Sequence, residues 1–243
     1  MITVTELAKL TALSMEEVTE DVQSLEQQGI VKVFRMKKDT YVWHTIHEQN
    51  MRHQLTEALC GYHEKYPYRY GMKKAEIHMT YMKKVKLNVF DLYVEMLSEE
   101  GALKRHQEFL QLPEFEVRKD AVYEKVLKTV QKQFEKAQFD FQRFSEISFG
   151  NIKREEVEDI MLLLIDEDIV VKITEDIYTL KSIIEKAKEV IQNRLKENPL
   201  ITIAEVRDLL GTSRKSAKPI LEYMDSIKVT KKNGTESERV AYI

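Results

Sequence analysis

Three cations near the predicted start of a C-terminal helix have the residue types and spacing best suited to binding chemistry. Arg214, Lys215 and Lys218 follow Thr212 and Ser213, either of which can cap a helix. Free backbone N–H groups and the helix dipole at such a position also favour anions. The pattern therefore predicts a site for an anionic partner at the beginning of this helix.

The elements that must position these cations are a helix and a two-stranded ribbon. Apolar residues recur along the helix at a spacing of three and four, at Ala217, Ile220, Leu221, Met224 and Ile227. Residues 229–232 and 239–243, joined through Asn233-Gly234, predict a ribbon that carries the basic residues Lys231, Lys232 and Arg239. With a preceding short helix this order is a winged helix; the alternative is a small α/β domain with solvated lysines.

Pro219 lies inside the predicted third helix of this unit. Because proline lacks a backbone N–H, a carbonyl of the preceding turn loses its partner. A loosened first turn would present Arg214 and Lys215 outward. The alternative is that the helix begins later, near Ser216.

The charge of the chain is unevenly distributed. The whole chain carries a net charge of −3, but residues 181–243 hold 13 Lys and Arg against 9 Asp and Glu. Residues 1–180 hold the remaining 25 basic and 32 acidic residues. Because the distribution of charge matters more than its sum, we expect only the C-terminal unit to meet a polyanion.

The order of helices and ribbon recurs along the chain, which predicts four units at 1–45, 46–118, 119–180 and 181–243. The expected fold is mainly α with small β-wings, as four tandem winged-helix domains. The first unit lacks a first helix, so we expect it to be cut from a longer protein. The third helix of the third unit, predicted at 153–167, is acidic overall, so nucleic-acid contact is not expected there.

Local signals mark several helix starts. Ser14 with Glu17 and Thr202 with Glu205 have the spacing of a capping box, in which side chain and backbone satisfy each other. Asn88 is predicted to cap a further helix.

No pattern of catalysis or metal binding is found in the sequence. Phosphate-binding and dinucleotide glycine motifs are absent, and the six histidines lack acidic or thiol partners at ligand spacing. We therefore expect no enzyme activity, no catalytic residue, no metal and no cofactor.

The single cysteine, Cys60, is expected to pack as a small hydrophobe and fits a reducing compartment. Without a signal peptide or an apolar run long enough to span a bilayer, the protein is expected to be cytoplasmic.

Two stretches resemble the bacterial selenocysteine-specific translation elongation factor family. The segments that resemble its last winged helix are VRDLLGTSRK (206–215), LEYMD (221–225) and VT (229–230). The segment HEKYPYRYGM (63–72) is similar to its second winged helix. The resemblance covers the whole chain in order and implies four tandem winged helices, the mRNA-binding C-terminal half of the factor. The GTPase and aminoacyl-tRNA domains of the family lie upstream and are absent here.

The resemblance also implies which residues contact RNA. In the family, the last module grips the selenocysteine insertion hairpin in the message. By position, the implied contact residues are Arg207, Thr212, Ser213, Arg214 and Lys215, with Lys231, Lys232 and Arg239 on the wing. The chain departs from the family at Ser216, where an aromatic residue is common, and in a longer wing turn.

The sequence therefore predicts a non-catalytic RNA-binding arm that recognises the hairpin during UGA recoding. We expect a monomer, without membrane contact, that meets the ribosome and selenocysteinyl-tRNA only through the full-length factor. Two alternatives stay open at this point. One is a tandem winged-helix regulator that binds DNA, and the other is a structural array that binds proteins.

Overall fold

The computed structural model describes residues 1–242, which divide into two compact units, unit 1 at 1–117 and unit 2 at 118–242. Ile243, which the sequence analysis placed in the C-terminal ribbon, lies outside the described residues. The described part consists of helices and small antiparallel sheets, as the predicted fold class requires.

Unit 1 contains five helices and six short strands in the described residues. The helices are α1 (Val4–Thr11), α2 (Met15–Gln27), α3 (Thr45–Lys65), α4 (Lys74–Tyr81) and α5 (Leu87–Glu99). The strands are β1 (Ile2–Thr3), β2 (Val31–Arg35), β3 (Thr40–His44), β4 (Met72–Lys73), β5 (Lys104–His106) and β6 (Phe109–Gln111). They form two antiparallel sheets, in the orders β1-β3-β2 and β4-β6-β5.

Unit 2 repeats this mixture of helices and ribbons. Its helices are α6 (Ala121–Ala137), α7 (Arg154–Asp166), α8 (Lys181–Glu197), α9 (Ile203–Leu210) and α10 (Arg214–Ser226), with a 3-10 turn at Phe144–Glu146. Its strands are β7 (Val170–Thr174), β8 (Ile177–Leu180), β9 (Leu200–Thr202), β10 (Thr230–Lys232) and β11 (Glu238–Ala241). They pair as β7-β8 and as β10-β11-β9, with β11 central.

The capping boxes of Ser14 and Thr202 are confirmed. Each hydroxyl accepts the backbone N–H of the glutamate three residues on, and the carboxylate of that glutamate accepts the backbone N–H of the capping residue. The predicted cap at Asn88 is wrong. Helix α5 already begins at Leu87, and the Asn88 amide oxygen accepts the N–H of Val89 inside the first turn. Helix α4 was not predicted, because Lys73 before it provides no side-chain cap to mark its start.

In unit 1, the β2–β3 ribbon packs on the helices that follow it. Phe34, Tyr41 and Trp43 belong to one buried cluster with residues of α3 and α5. The Trp43 ring meets Tyr93 edge-on at 5.0 Å between centroids. The buried carboxylate of Glu48 accepts the Tyr93 hydroxyl at 3.2 Å. Buried residues of this unit from Phe34 to Leu110 therefore belong to one shared core.

Unit 2 uses the same arrangement. Apolar side chains of the β7–β8 ribbon, Val171, Ile173 and Ile177, pack against the buried cluster of α8, α9 and α10. Helix α8 follows β8 without a linker, since Leu180 ends the strand and Lys181 begins the helix. The β7–β8 ribbon thus packs against helices α8, α9 and α10, and α10 carries the candidate site.

Candidate nucleic-acid interface

Helix α10 buries one face and exposes the opposite one. Its apolar residues are fully buried at Ala217, Ile220, Leu221 and Met224. Arg214, Lys215 and Lys218 are exposed. The helix begins at Arg214 with Pro219 in its interior, so the alternative of a later start near Ser216 is wrong. The predicted cations therefore lie on the first turns of an exposed helix face.

The exposed cations differ in their partners. Arg214 and Lys215 make no ion pair within residues 1–242. The Lys218 ammonium lies 3.6 Å from the Glu222 carboxylate, one turn along the helix. Arg207, at the end of α9, donates to Asp208 at 2.7 Å. Arg214 and Lys215 are thus the members of this set that can bind an anion without first releasing an acidic side chain.

The hydroxyls at the start of α10 contact a distant loop. Ser213 occupies the N-cap position but makes no side-chain cap; its hydroxyl donates instead to the Asp140 carboxylate at 2.8 Å. The Thr212 hydroxyl donates to the Phe139 carbonyl oxygen at 2.6 Å. The prediction of a side-chain cap at Thr212 or Ser213 is therefore wrong.

The same loop reaches the buried hydroxyl of Ser216. The Phe141 backbone N–H donates to the Ser216 hydroxyl at 3.0 Å, and that residue is 1% exposed. A carboxylate near a helix N-terminus is favourable, since the helix dipole is positive there. Asp140 thus takes the position that the sequence assigned to an external anion. These contacts span more than 70 residues of sequence, so no local pattern could have indicated them.

The ribbon after α10 presents two lysines. Lys231 is exposed, with its ammonium 6.0 Å from the centroid of the Tyr242 ring. Lys232 is exposed as well, but its ammonium contacts the Glu236 carboxylate at 2.6 Å. Glu236 of the longer wing turn therefore neutralises Lys232, one of the three predicted wing cations.

Arg239 is not a surface cation. It is 1% exposed, and its Nε donates to the Asp225 carboxylate at 2.7 Å. Its Nη1 donates to the carbonyl oxygens of Glu236 at 2.9 Å and Glu238 at 3.1 Å. The prediction that Arg239 faces RNA is therefore wrong. The burial of Arg239 depends on how β11 packs against α10, which the local sequence pattern does not show.

Other candidate chemistry is sparse in the described part of the chain. Within residues 1–242, no group of three His, Cys, Asp or Glu side chains could hold a metal ion. Cys60 is exposed, so the prediction that it packs as a small hydrophobe is wrong. None of the described helices is both long and apolar enough to cross a bilayer.

Comparison with known proteins gives two matches to winged-helix domains of elongation factor SelB. One covers residues 56–112, from α3 to β6, and the other covers residues 193–237, from the end of α8 to the wing turn. The selenocysteine-specific elongation factor of Desulfomicrobium baculatum is 24% identical over 185 residues, which are 75% of this chain. The chain spans 29% of the length of that relative.

Two solved structures are similar to this chain. The mRNA-binding domain of elongation factor SelB from E. coli, in complex with SECIS RNA, covers 51% of this chain and all of its own, with a TM-score of 0.44 and 19% identity. A bacterial selenocysteine-specific elongation factor, EF-Sec, covers 86% of this chain and 32% of its own, with a TM-score of 0.47 and 17% identity.

Proposed function

Because this chain carries two winged-helix domains of the elongation factor SelB family, we propose that it is the RNA-binding C-terminal arm of a selenocysteine-specific elongation factor. Its ligand is the selenocysteine insertion hairpin of an mRNA, and its role is to hold the factor at a UGA codon that is recoded. The arm contributes binding rather than catalysis, acts as a cytoplasmic monomer and uses no cofactor. The ribosome and selenocysteinyl-tRNA are reached through other parts of the full-length factor.

One observation carries this proposal. Arg214 and Lys215, which make no ion pair with any residue of the described range 1–242, lie on the first turn of α10, inside a segment that matches a SelB winged helix. The Arg214 guanidinium can donate two parallel hydrogen bonds to a phosphate or to the edge of a guanine. Lys215 and Lys231 act as point charges toward phosphates. Because duplex RNA hides its base edges in a deep and narrow groove, sequence is read in the hairpin loop or at a bulge.

The proposed arm consists of four tandem winged helices, at 1–45, 46–118, 119–180 and 181–243. The order of helix, helix and ribbon in each part of the two units supports this division. The third module starts its last helix with Arg154, Glu155 and Glu156, of which Arg154 binds Glu158 at 2.9 Å. An acidic first turn repels phosphate, so RNA contact at the start of that helix is not part of the proposal.

Equilibrium binding at about 0.15 M salt, where non-specific attraction is largely screened, tests the proposal. The probes are a selenocysteine insertion hairpin, the same stem with a scrambled loop, the matching DNA hairpin and a random DNA duplex. We expect the first RNA to bind most tightly. Equal binding of DNA and RNA would favour the tandem DNA-binding regulator, and no binding of any probe would favour the structural array.

A further inference from the structure

A second basic surface lies in unit 1, far in sequence from α10. Lys37 and Lys38 occupy the turn between β2 and β3, and Lys83, Lys84 and Lys86 precede α5 directly. All five side chains are exposed. We call these residues the lysine surface. The net acidity of residues 1–180 conceals it, because a charge sum does not show which residues the fold brings together.

Contacts between the ribbon and the segment before α5 hold the lysine surface together. The Lys86 ammonium lies 3.5 Å from the Asp39 carboxylate and 5.7 Å from the centroid of the Tyr41 ring. The N–H of Met36 donates to the carbonyl oxygen of Asp39 at 2.9 Å and closes the turn. Met36 also packs against the shared core. The turn that carries Lys37 and Lys38 therefore lies beside the start of α5.

Most of this charge is not neutralised. Lys37, Lys38, Lys83 and Lys84 make no ion pair or hydrogen bond through their side chains within the described range 1–242. Helix α5 has no acidic residue in its first turn. Asp39 already contacts Lys86, so four ammonium groups on two elements stay available to one extended anion.

We propose that the lysine surface is a second RNA-binding surface, which holds the phosphate backbone of an RNA without reading its sequence. Lysine is a flexible point charge without the planar fork of arginine, so it suits phosphates better than base edges. The choice of RNA as the polyanion rests on the proposed function. The role of the lysine surface is to add sequence-independent affinity to the specific contact that α10 makes.

The test uses the full chain in a background that lacks the specific contact, Arg214→Ala with Lys215→Ala. The probe is an RNA duplex of random sequence without a loop. In this background, changing Lys37, Lys38, Lys83 and Lys84 to Gln should weaken duplex binding about tenfold or more at about 50 mM salt. The slope of log affinity against log salt should fall in magnitude by about 3.6 units for four lost contacts.

A matched control changes four other exposed lysines to Gln, at Lys125, Lys128, Lys132 and Lys136 of α6. The control should change duplex binding little, and unchanged melting of both variants shows that the fold is retained. An equal loss in the control, or no loss in the lysine-surface variant, overturns the proposal. So does binding of phosphatidylserine vesicles through these lysines without binding of RNA. A separate measurement tests the proposed function. If Arg214→Ala with Lys215→Ala, without the other changes, leaves hairpin binding unchanged, the proposed function fails while the lysine surface is still tested by the duplex.

Discussion

Replacing Arg239 by alanine should destabilise unit 2 rather than remove an RNA contact. The guanidinium is almost fully buried and donates to the Asp225 carboxylate and to two backbone carbonyl oxygens. After truncation, Asp225 keeps the Thr230 hydroxyl, 2.7 Å away, but loses its cation. Breaking a buried ion pair from one side costs about 3–5 kcal/mol. Since the Asp225 side chain is 21% exposed, we expect the lower end, about 3 kcal/mol.

Thermal unfolding of the full chain measures this loss. For a unit of this size, 1 kcal/mol lowers the melting temperature by about 4 °C, so the expected shift is about 12 °C. Lys231→Ala on the neighbouring strand is the matched control. Its exposed side chain should change stability by less than about 0.5 kcal/mol. If Arg239→Ala melts like the parent chain yet binds the hairpin more weakly, the guanidinium faces RNA in solution and the structural role is refuted.

Two further predictions concern the pH dependence of unit 1 and the loop that holds α10. Burial lowers the pKa of His63 to about 4 from 6.5, so the unfolded chain takes up the proton first as the pH falls. The free energy of unfolding should then decrease between about pH 6.5 and pH 4, by at most about 3 kcal/mol. His63→Gln should flatten this dependence. The control His53→Gln, at an exposed position, should leave it unchanged. Ser216→Ala removes the hydroxyl that accepts the Phe141 N–H and should lower the free energy of unfolding in urea by about 1–3 kcal/mol. Ser226→Ala, at an exposed position, serves as its control. Equal losses in the two variants would contradict the role of the loop.

Local sequence signals predicted the elements that carry the site. The spacing of three and four gave the buried face of α10, and Ala217, Ile220, Leu221 and Met224 are buried as expected. The prediction for the fifth residue, Ile227, is wrong, because it follows the end of the helix and is 37% exposed. Capping boxes located the starts of α2 and α9, because both halves of the motif lie within one helical turn. The ribbon expected in the unit at 1–45, from the recurring order of helices and ribbon, is confirmed by the pairing of β2 with β3.

Contacts between distant residues could not be predicted in the same way. Asp140 meets Ser213 across 73 residues, and the turn of Lys37 meets Lys86 across more than 40. Both depend on how a ribbon or loop packs on a later helix, which periodicity does not encode. Arg239 was assigned to RNA for the same reason, since its partner Asp225 lies on α10 and its burial follows from the tertiary fold.

The central claim is that Arg214, at the start of α10, binds the hairpin because it makes no ion pair within residues 1–242. Arg154 provides the matched comparison. Arg154 begins α7 as Arg214 begins α10, but it donates to Glu158 at 2.9 Å and lies over the Phe144 ring at 4.3 Å. The decisive measurement is hairpin affinity of the full chain at about 0.15 M salt for Arg214→Ala and Arg154→Ala. Arg214→Ala should cost about 1–3 kcal/mol, roughly a factor of 5 to 150, and reduce discrimination between loop sequences, while Arg154→Ala should bind like the parent. Equal affinities for the two variants would contradict the assignment of the RNA site to α10.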